Sequence, residues 1–477
     1  MINICKKAAK LPDGVKASVA FFFASVVSSG ISYIVTPIYT RILPADVFGQ
    51  TSVFMTWVQV FGIVAMFCLS AGVFNNGMLD FPNKRDEYSF SMLILSNIIT
   101  VVFFVVIMLL YPLIGEKLSI DFPLVILMCV LFFFQPAYNF WATRQRYEYK
   151  YRATVAWTII CAIASPLSAV LCVTFTDTNV LYARLFGAEL VLVMVYIGFY
   201  VYLGNRSGWK IKTTYWRTAL SFNLPLIPHY LSTYLLSNSN KLLISYIVND
   251  TAVAYYSVAQ SVAMVVTIVW SAINASLIPF TYEKCKKREY SKISAVTIPI
   301  LTGFAVVCIM AIMFAPEVVS VMATSEYTEA IYVIPPIVGG VFFQVQYFIY
   351  ANIVYYYKKP KYVMYASVSA ILINFALGYY FISTFGYLAA GYSTLICYIL
   401  QAVLDYFAMR KVVKEKVYNM RYICILSATV VVASVMSNLL YDSTAARYTI
   451  VAVMFASCLV FGKRFLRIVK DMRNCED

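Results

Sequence analysis

The sequence predicts an all-α polytopic membrane protein with about fourteen transmembrane helices. Composition is the first reason. At 62% hydrophobic and 12% charged residues, a chain of 477 residues has too little polar surface to be a soluble globule. The second is the length of the apolar stretches, which mostly reach the ~20 residues a helix rising ~1.5 Å per residue needs to cross a ~30 Å hydrocarbon core. Backbone groups in lipid must be satisfied within the segment, so these stretches are read as helices. The third is the placement of the cations: 32 of the 37 Lys and Arg residues fall in every second connection between apolar stretches. Cytoplasmic connections retain Lys and Arg, which predicts that both ends of the chain lie in the cytoplasm.

The spans follow in order. The first, 17–38, comes after Lys6, Lys7, Lys10 and Lys16; its apolar stretch is longer than the core of a cleavable signal peptide, no small-residue cleavage site stands out, and thirteen spans follow. The second, 50–73, leads to Lys84 and Arg85. Spans 89–112 and 121–142 return to Arg144, Arg146, Lys150 and Arg152, and spans 153–175 and 180–203 to Arg206, Lys210, Lys212 and Arg217. Spans 218–247 and 252–279 end at five cations between Lys284 and Lys292, and spans 293–315 and 328–356 at three between Lys358 and Lys361. Spans 362–384 and 386–409 precede five cations between Arg410 and Arg421, and spans 420–440 and 446–462 precede five from Lys463 onward. The opposite side holds only Arg41, Lys117, Arg184, Lys241 and Arg447. A net charge of +15 is then a topology signal facing anionic lipid headgroups, not a nucleic-acid signal.

Several function classes drop out. The eleven cysteines form no CxxC and eight lie inside spans, as small apolar packing residues do. A single histidine rules out HExxH chemistry, and neither a Walker loop nor GxGxxG is present. The connections are too short for a soluble catalytic domain, so no cofactor is expected and any work draws on a gradient, on substrate flux or on a partner.

An internal repeat is visible. Thr40-Arg41-Ile42-Leu43 and Asp46 to Val53 after the first span are echoed by Asn240-Lys241-Leu242-Leu243 and Thr251 to Val258 after the seventh, roughly 200 residues on. A second echo pairs Lys150-Tyr151 with Lys361-Tyr362. Six spans per repeat is an even number, so both halves enter from the same side and are related by an axis along the membrane normal. The expected division is 1–204 and 205–412 as two six-helix bundles around a central cavity, with two extra helices and a basic cytoplasmic tail in 413–477.

The openings of the two halves carry a family resemblance. Ser32-Tyr33-Ile34-Val35-Thr36-Pro37-Ile38-Tyr39-Thr40-Arg41-Ile42-Leu43-Pro44 with Phe48-Gly49-Gln50 resembles the opening of Wzx-type O-antigen and polysaccharide flippases. These belong to the multidrug/oligosaccharidyl-lipid/polysaccharide exporter (MOP) superfamily. Leu224-Pro225-Leu226-Ile227-Pro228-His229, Asn240-Lys241 and Tyr255-Tyr256-Ser257-Val258 resemble the opening of that family's second half, except that Asn240-Lys241 stands where Asp-Arg is usual. The resemblance implies a bacterial cytoplasmic-membrane protein, not an enzyme, that moves an oligosaccharide repeat unit on polyprenyl pyrophosphate from the cytoplasmic to the outer leaflet. Other glycan-assembly membrane proteins are the implied partners beside membrane lipids. Neither sugars nor pyrophosphate cross hydrocarbon unaided, because each unsatisfied polar group costs several kcal/mol. Two other readings stay open: a cation-coupled drug exporter of the same superfamily, and an integral-membrane glycan polymerase or ligase, for which the short outer connections give no support.

Pyrophosphate binding directs attention to the sparse cations. Arg184 and Glu189 lie inside the sixth span; ionisable groups there face a cavity or pair with one another. Glu189 is read either as a proton- or sodium-coupling acid or as a structural hydrogen-bonding group, and Arg184 either as a pyrophosphate ligand or as a snorkelling residue. Arg41 and Lys241 hold matching places in the two repeats, as phosphate-guiding cations or interface anchors, whereas Lys117 and Arg447 read as plain loop charges. In the seventh span Pro225 and Pro228 make a hinge candidate, and His229 is either a hydrogen-bonded helix residue or a protonation switch. Most in-span amides are expected to bridge helices; Asn75, Asn76 and Asn274, which close the second and eighth spans, are the candidates for sugar hydroxyls.

Overall fold

A computed structural model describes residues 13–456 apart from 71–72, 119, 149 and 177. Lys6, Lys7 and Lys10, the end of the fourteenth span and the basic tail from Lys463 lie outside the described residues, as do the side chains of Lys16 and Lys117. Among the described residues there is no strand, and eleven helices are long and apolar enough to cross a membrane. The other three predicted spans correspond to the first helix, to a broken seventh helix and to a shorter apolar helix near the end, so the protein is an all-α polytopic membrane protein.

Contacts divide the chain into two compact units, Met1–Val253 and Ala254–Asp477. The first contains α1 (Asp13–Ile42), α2 (Ala45–Ala65), α3 (Val73–Asp80), α4 (Arg85–Leu118), α5 (Phe122–Tyr147), α6 (Tyr151–Thr174) and α7 (Val180–Ser207). It continues with α8 (Thr214–Asn223) and α9 (Ile227–Ile247), the two pieces of the seventh span; α9 packs on α2, and α8 on α3 and α4. Between these pieces Pro225 sits in a 3-10 turn, Leu224–Leu226, where its missing N–H and its ring prevent an unbroken α-helix. Two aromatic-rich clusters fill this unit, one around Phe74, Phe140 and Trp141, the other around Phe54, Phe132 and Leu185. On the outward face of α4, Leu109 and Leu113 are 74% and 73% exposed, as a helix facing hydrocarbon requires.

The second span differs from its predicted bounds. The helix ends at Ala65, and the chain turns through Phe67 and Cys68 at φ 56° and 46°, a left-handed conformation disfavoured for bulky residues. Buried Asn223 holds this turn: its Nδ2 donates to Phe67 O (3.0 Å) and its Oδ1 accepts from Val73 N (3.2 Å). Asn75 and Asn76 therefore ride on the separate short helix α3 instead of closing the span.

The second unit receives α10 (Asp250–Lys286), which carries the chain across from the first, and then α11 (Tyr290–Met313), α12 (Ala315–Met322) and α13 (Ile334–Tyr356). It ends with α14 (Pro360–Phe385), α15 (Ala389–Val412), α16 (Met420–Met436) and α17 (Thr444–Ala456). Helix α13 is its centre, buried along most of its length and packed on α15, α11 and α16. Small residues let α13 and α15 approach: a Cβ on Gly391 would stand 2.7 Å from Pro336 Cγ, closer than packed carbon atoms come.

Several charged groups at the cation-rich helix ends are paired. Arg144 is buried and donates to Asp86 and, from Nε, to Glu148 Oε1 (2.6 Å), while Lys150 Nζ donates to Glu148 Oε2 (2.7 Å). Burial alone would push the Glu148 carboxyl up, but the bonds from Lys150 and Arg144 outweigh it and hold that carboxyl below its ordinary value. Arg447 corrects an expectation. It is not a plain loop charge but a buried residue, 3% exposed, whose Nη1 donates to Met313 O (2.9 Å) and to both carboxylate oxygens of Glu317 (2.8 Å). The start of α17 is thereby tied to the start of α12.

Candidate functional site

In the first unit, α1, α2, α5, α6, α7 and α9 surround a cavity of about 570 Å³, within the range typical of ligand pockets. Arg184 from α7 and Lys241 from α9 both line it. Hydroxyls from Ser28, Thr36, Ser165 and Thr158 and the amide of Gln59 add polar surface, with the rings of Tyr39 and Tyr234 beside them. No Asp or Glu is among the described lining residues.

Helix geometry explains why these groups converge. Thr51, Met55 and Gln59 recur at i, i+4 and i+8 on α2 and so present one face. Several of the hydroxyls are back-bonded within their helices: Thr51 Oγ1 donates to Val47 O (2.9 Å) and Thr56 Oγ1 to Ser52 O (2.8 Å), which satisfies the proton and leaves oxygen lone pairs at the wall. Tyr138 and Thr158 hydroxyls bond across α5 and α6 at 3.1 Å.

Arg184 is the unusual member. It is 9% exposed, its guanidinium lies 4.1 Å from the Tyr39 ring centroid, and its Nε and Nη1 have no hydrogen-bond partner among the described residues. Glu189, 6% exposed, lies within electrostatic range of Arg184 and Tyr196 but does not line the cavity and makes no ion pair with Arg184 among the described residues. Two cationic side chains, one with donors left over, facing a polar acid-free wall form a site suited to a polyanion.

The remaining candidates sit elsewhere. Arg41 is exposed at the end of α1, donates from Nη1 to Pro37 O (2.7 Å) and is not a lining residue. Asn274 accepts from Asn352 Nδ2 (2.9 Å), a bond joining α10 to α13 within the second unit. His229 is half-buried near the start of α9 with Nδ1 unpartnered among the described residues, and Pro228 accepts from Ser232 Oγ at 2.7 Å; neither is among the described lining residues, nor is Pro225. Sequence reasoning missed Gln59, Tyr39 and Thr158, which carry no charge to mark them. It also missed Asp405 on α15, which is 0% exposed with neither carboxylate oxygen partnered among the described residues. Asp405 had a legible signal, an acid inside the twelfth span, the criterion that singled out Glu189.

The helical fold of this chain is shared with solved structures of membrane transporters. The lipid II flippase MurJ in an inward closed conformation superposes with a TM-score of 0.67 at 12% identity, covering 95% of this chain and 99% of MurJ. An inward-facing multidrug resistance MATE family transporter of the MOP superfamily gives 0.60 at 14% identity over 84% and 96%. A MOP superfamily transporter from Pyrococcus furiosus, described as having a binding pocket of reverse polarity that suggests a different function, gives 0.54 at 14% identity over 84% and 96%. The chain belongs to the polysaccharide biosynthesis protein family, whose sequence model matches residues 15–283; a MatE model matches 225–380. The Wzx-type resemblance of the two span openings agrees with this membership. Lsg locus putative protein 1 of Haemophilus influenzae is 26% identical over 192 residues, 39% of this chain and 48% of that relative, so the match spans about half of the relative's length.

Proposed function

We propose that this protein is a flippase for an oligosaccharide carried on polyprenyl diphosphate, moving it from the cytoplasmic to the outer leaflet of a bacterial cytoplasmic membrane by alternating access. The observation that carries the proposal is the acid-free cavity lined by Arg184 and Lys241, where two cations from separate helices can hold a diphosphate. Tyr234 offers a ring face to a sugar, and the hydroxyls and Gln59 offer partners to its oxygens. The prenyl chain stays in lipid, where it gains nothing by leaving. Both chain ends face the cytoplasm in this reading, following the cation distribution. The oligosaccharide is of the O-antigen or surface-polysaccharide kind, in keeping with the family.

An exporter of cationic drugs calls for an acid at its binding wall, and the described lining has none. Glu189, beside but not in the cavity, is the acid best placed to couple a proton or a sodium ion to its occupancy. The test is deletion of the gene: polymerised glycan should disappear from the cell surface while lipid-linked repeat units accumulate facing the cytoplasm. Normal surface glycan in the deletion strain overturns the reading.

A further inference from the structure

The second unit contains a larger cavity that the transport reading does not use. It measures about 850 Å³ and lies where the start of α11, the end of α15 and the start of α16 meet. Arg410, Lys416 and Arg421 line it together with the polar side chains of Ser291, Ser294 and Asn419, and no Asp or Glu is among its described lining residues. The nearest acid on α11's flank, Glu289, is already engaged, by Lys292 at 3.0 Å and Lys284 at 3.4 Å. The lining thus carries three cations against one exposed acid in the same connection, Glu415, which leaves the pocket net positive.

The pocket is also fixed in shape. Arg410 Nη1 donates to Lys414 O (3.2 Å) and Glu415 O (2.8 Å), which curls the connection between α15 and α16 back over the end of α15. Val417 and Tyr418 anchor that connection from below, at 2% and 7% exposure, Tyr418 Oη donating to Ile349 O at 3.4 Å. Lys416 and Arg421, one on each side of this anchor, are exposed and make no ion pair among the described residues. Deeper along α11 and α15 the wall becomes apolar: Ala295, Ile298, Pro299, Tyr406 and Met409.

We propose that this pocket binds the phosphodiester headgroup of an anionic glycerophospholipid, with the upper part of its acyl chains along the apolar wall. The order of surfaces is that of such a lipid, polar hydroxyls and cations at the level of the helix ends and hydrocarbon below them. A free phosphate or nucleotide has no use for the apolar half, and a zwitterionic lipid brings no net charge to three cations. Each cation near an anionic membrane surface adds to its attraction for that surface. The site is separate from the first unit's cavity and stands or falls independently of the flippase reading.

The experiment uses the full-length protein in neutral detergent, with phosphatidylglycerol, phosphatidylcholine and inorganic phosphate as probes and bound lipid counted by native mass spectrometry. Phosphatidylglycerol should bind at least tenfold more tightly than phosphatidylcholine, and inorganic phosphate should not displace it. Lys416→Gln with Arg421→Gln should weaken phosphatidylglycerol roughly 30-fold, about 2 kcal/mol at ~1.4 kcal/mol per decade. Arg410 is left intact because it holds the connection. Lys359→Gln with Lys361→Gln removes the same charge from another exposed connection of this unit and should leave affinity within twofold. Equal losses in the two double variants, equal binding of the two lipids, or displacement by phosphate alone overturns the proposal.

Discussion

Replacing Arg184 by Gln should move stability and ligand affinity in opposite directions. In the free protein its guanidinium rests on the Tyr39 ring at 4.1 Å, an attraction of about 2 kcal/mol when desolvated. Against this, Nε and Nη1 are buried without partners, and each unsatisfied donor costs about 1–3 kcal/mol. The second term is at least as large, so Arg184→Gln is expected to leave the melting temperature unchanged or raise it. A diphosphate supplies the missing acceptors, and hydrogen bonds to a charged group contribute about 1.5–3 kcal/mol, so its affinity should fall roughly 10- to 150-fold. The assay is the Kd of purified protein for farnesyl diphosphate, a short soluble carrier, read beside the thermal melt. Arg184→Lys keeps the charge but not the planar fork and should fall between. Arg41→Gln, outside the cavity, should leave Kd within about twofold. A lowered melting temperature with unchanged Kd for Arg184→Gln would show that the residue serves the Tyr39 stack alone and would refute the diphosphate site.

Two further outcomes follow from the second unit. Arg447→Met removes the partner of Glu317, whose side chain is about a third exposed, so the loss should be about 1–2 kcal/mol after allowance for solvent screening. Burial raises the Glu317 carboxyl but bonds from Arg447, its own backbone and Tyr448 lower it further, so the stabilisation is full above the unfolded carboxylate value of ~4.3 and lost as pH falls below it. The gap between wild type and Arg447→Met melts should therefore close between about pH 5 and 3; a gap independent of pH contradicts the pairing. Asp405→Asn should leave the melting temperature unchanged or raise it, since it replaces a buried acid with no partner among the described residues by a neutral isostere; a clear drop would show that the acid is bonded.

Hydropathy and charge alternation made the spans legible because lipid imposes one length and one secondary structure on every crossing. The break at Pro225 was legible for the same kind of reason, a local covalent fact. Rotational facing was not. Arg41 and Arg184 are both cations near the sparse side, yet one bonds to its own helix and the other turns into a cavity, and only the packing of α7 against α2 and α6 decides that. Arg447 read as a loop charge because its partner, Glu317, is 130 positions away, and no local pattern connects them. The short second span was hidden likewise: Phe67 and Cys68 look like more apolar helix, and the turn exists because Asn223, far along the chain, satisfies its backbone.

Position along the membrane normal therefore sorts the cations less well than what each meets after folding. Arg144 lies on the cation-rich side, where topology alone accounts for it, but it is buried and committed to Asp86 and Glu148, so it fastens helix ends. Arg184 is nearly as buried and has no such partner. A ligand that arrives and leaves would supply acceptors to those donors, as the proposed diphosphate does. Lys416 and Arg421 differ from both, since water already solvates them and their cavity needs no occupant for stability. Occupancy there should respond to the lipid composition of the membrane, whereas occupancy beside Arg184 should respond to substrate, and the two double readouts described above separate these cases.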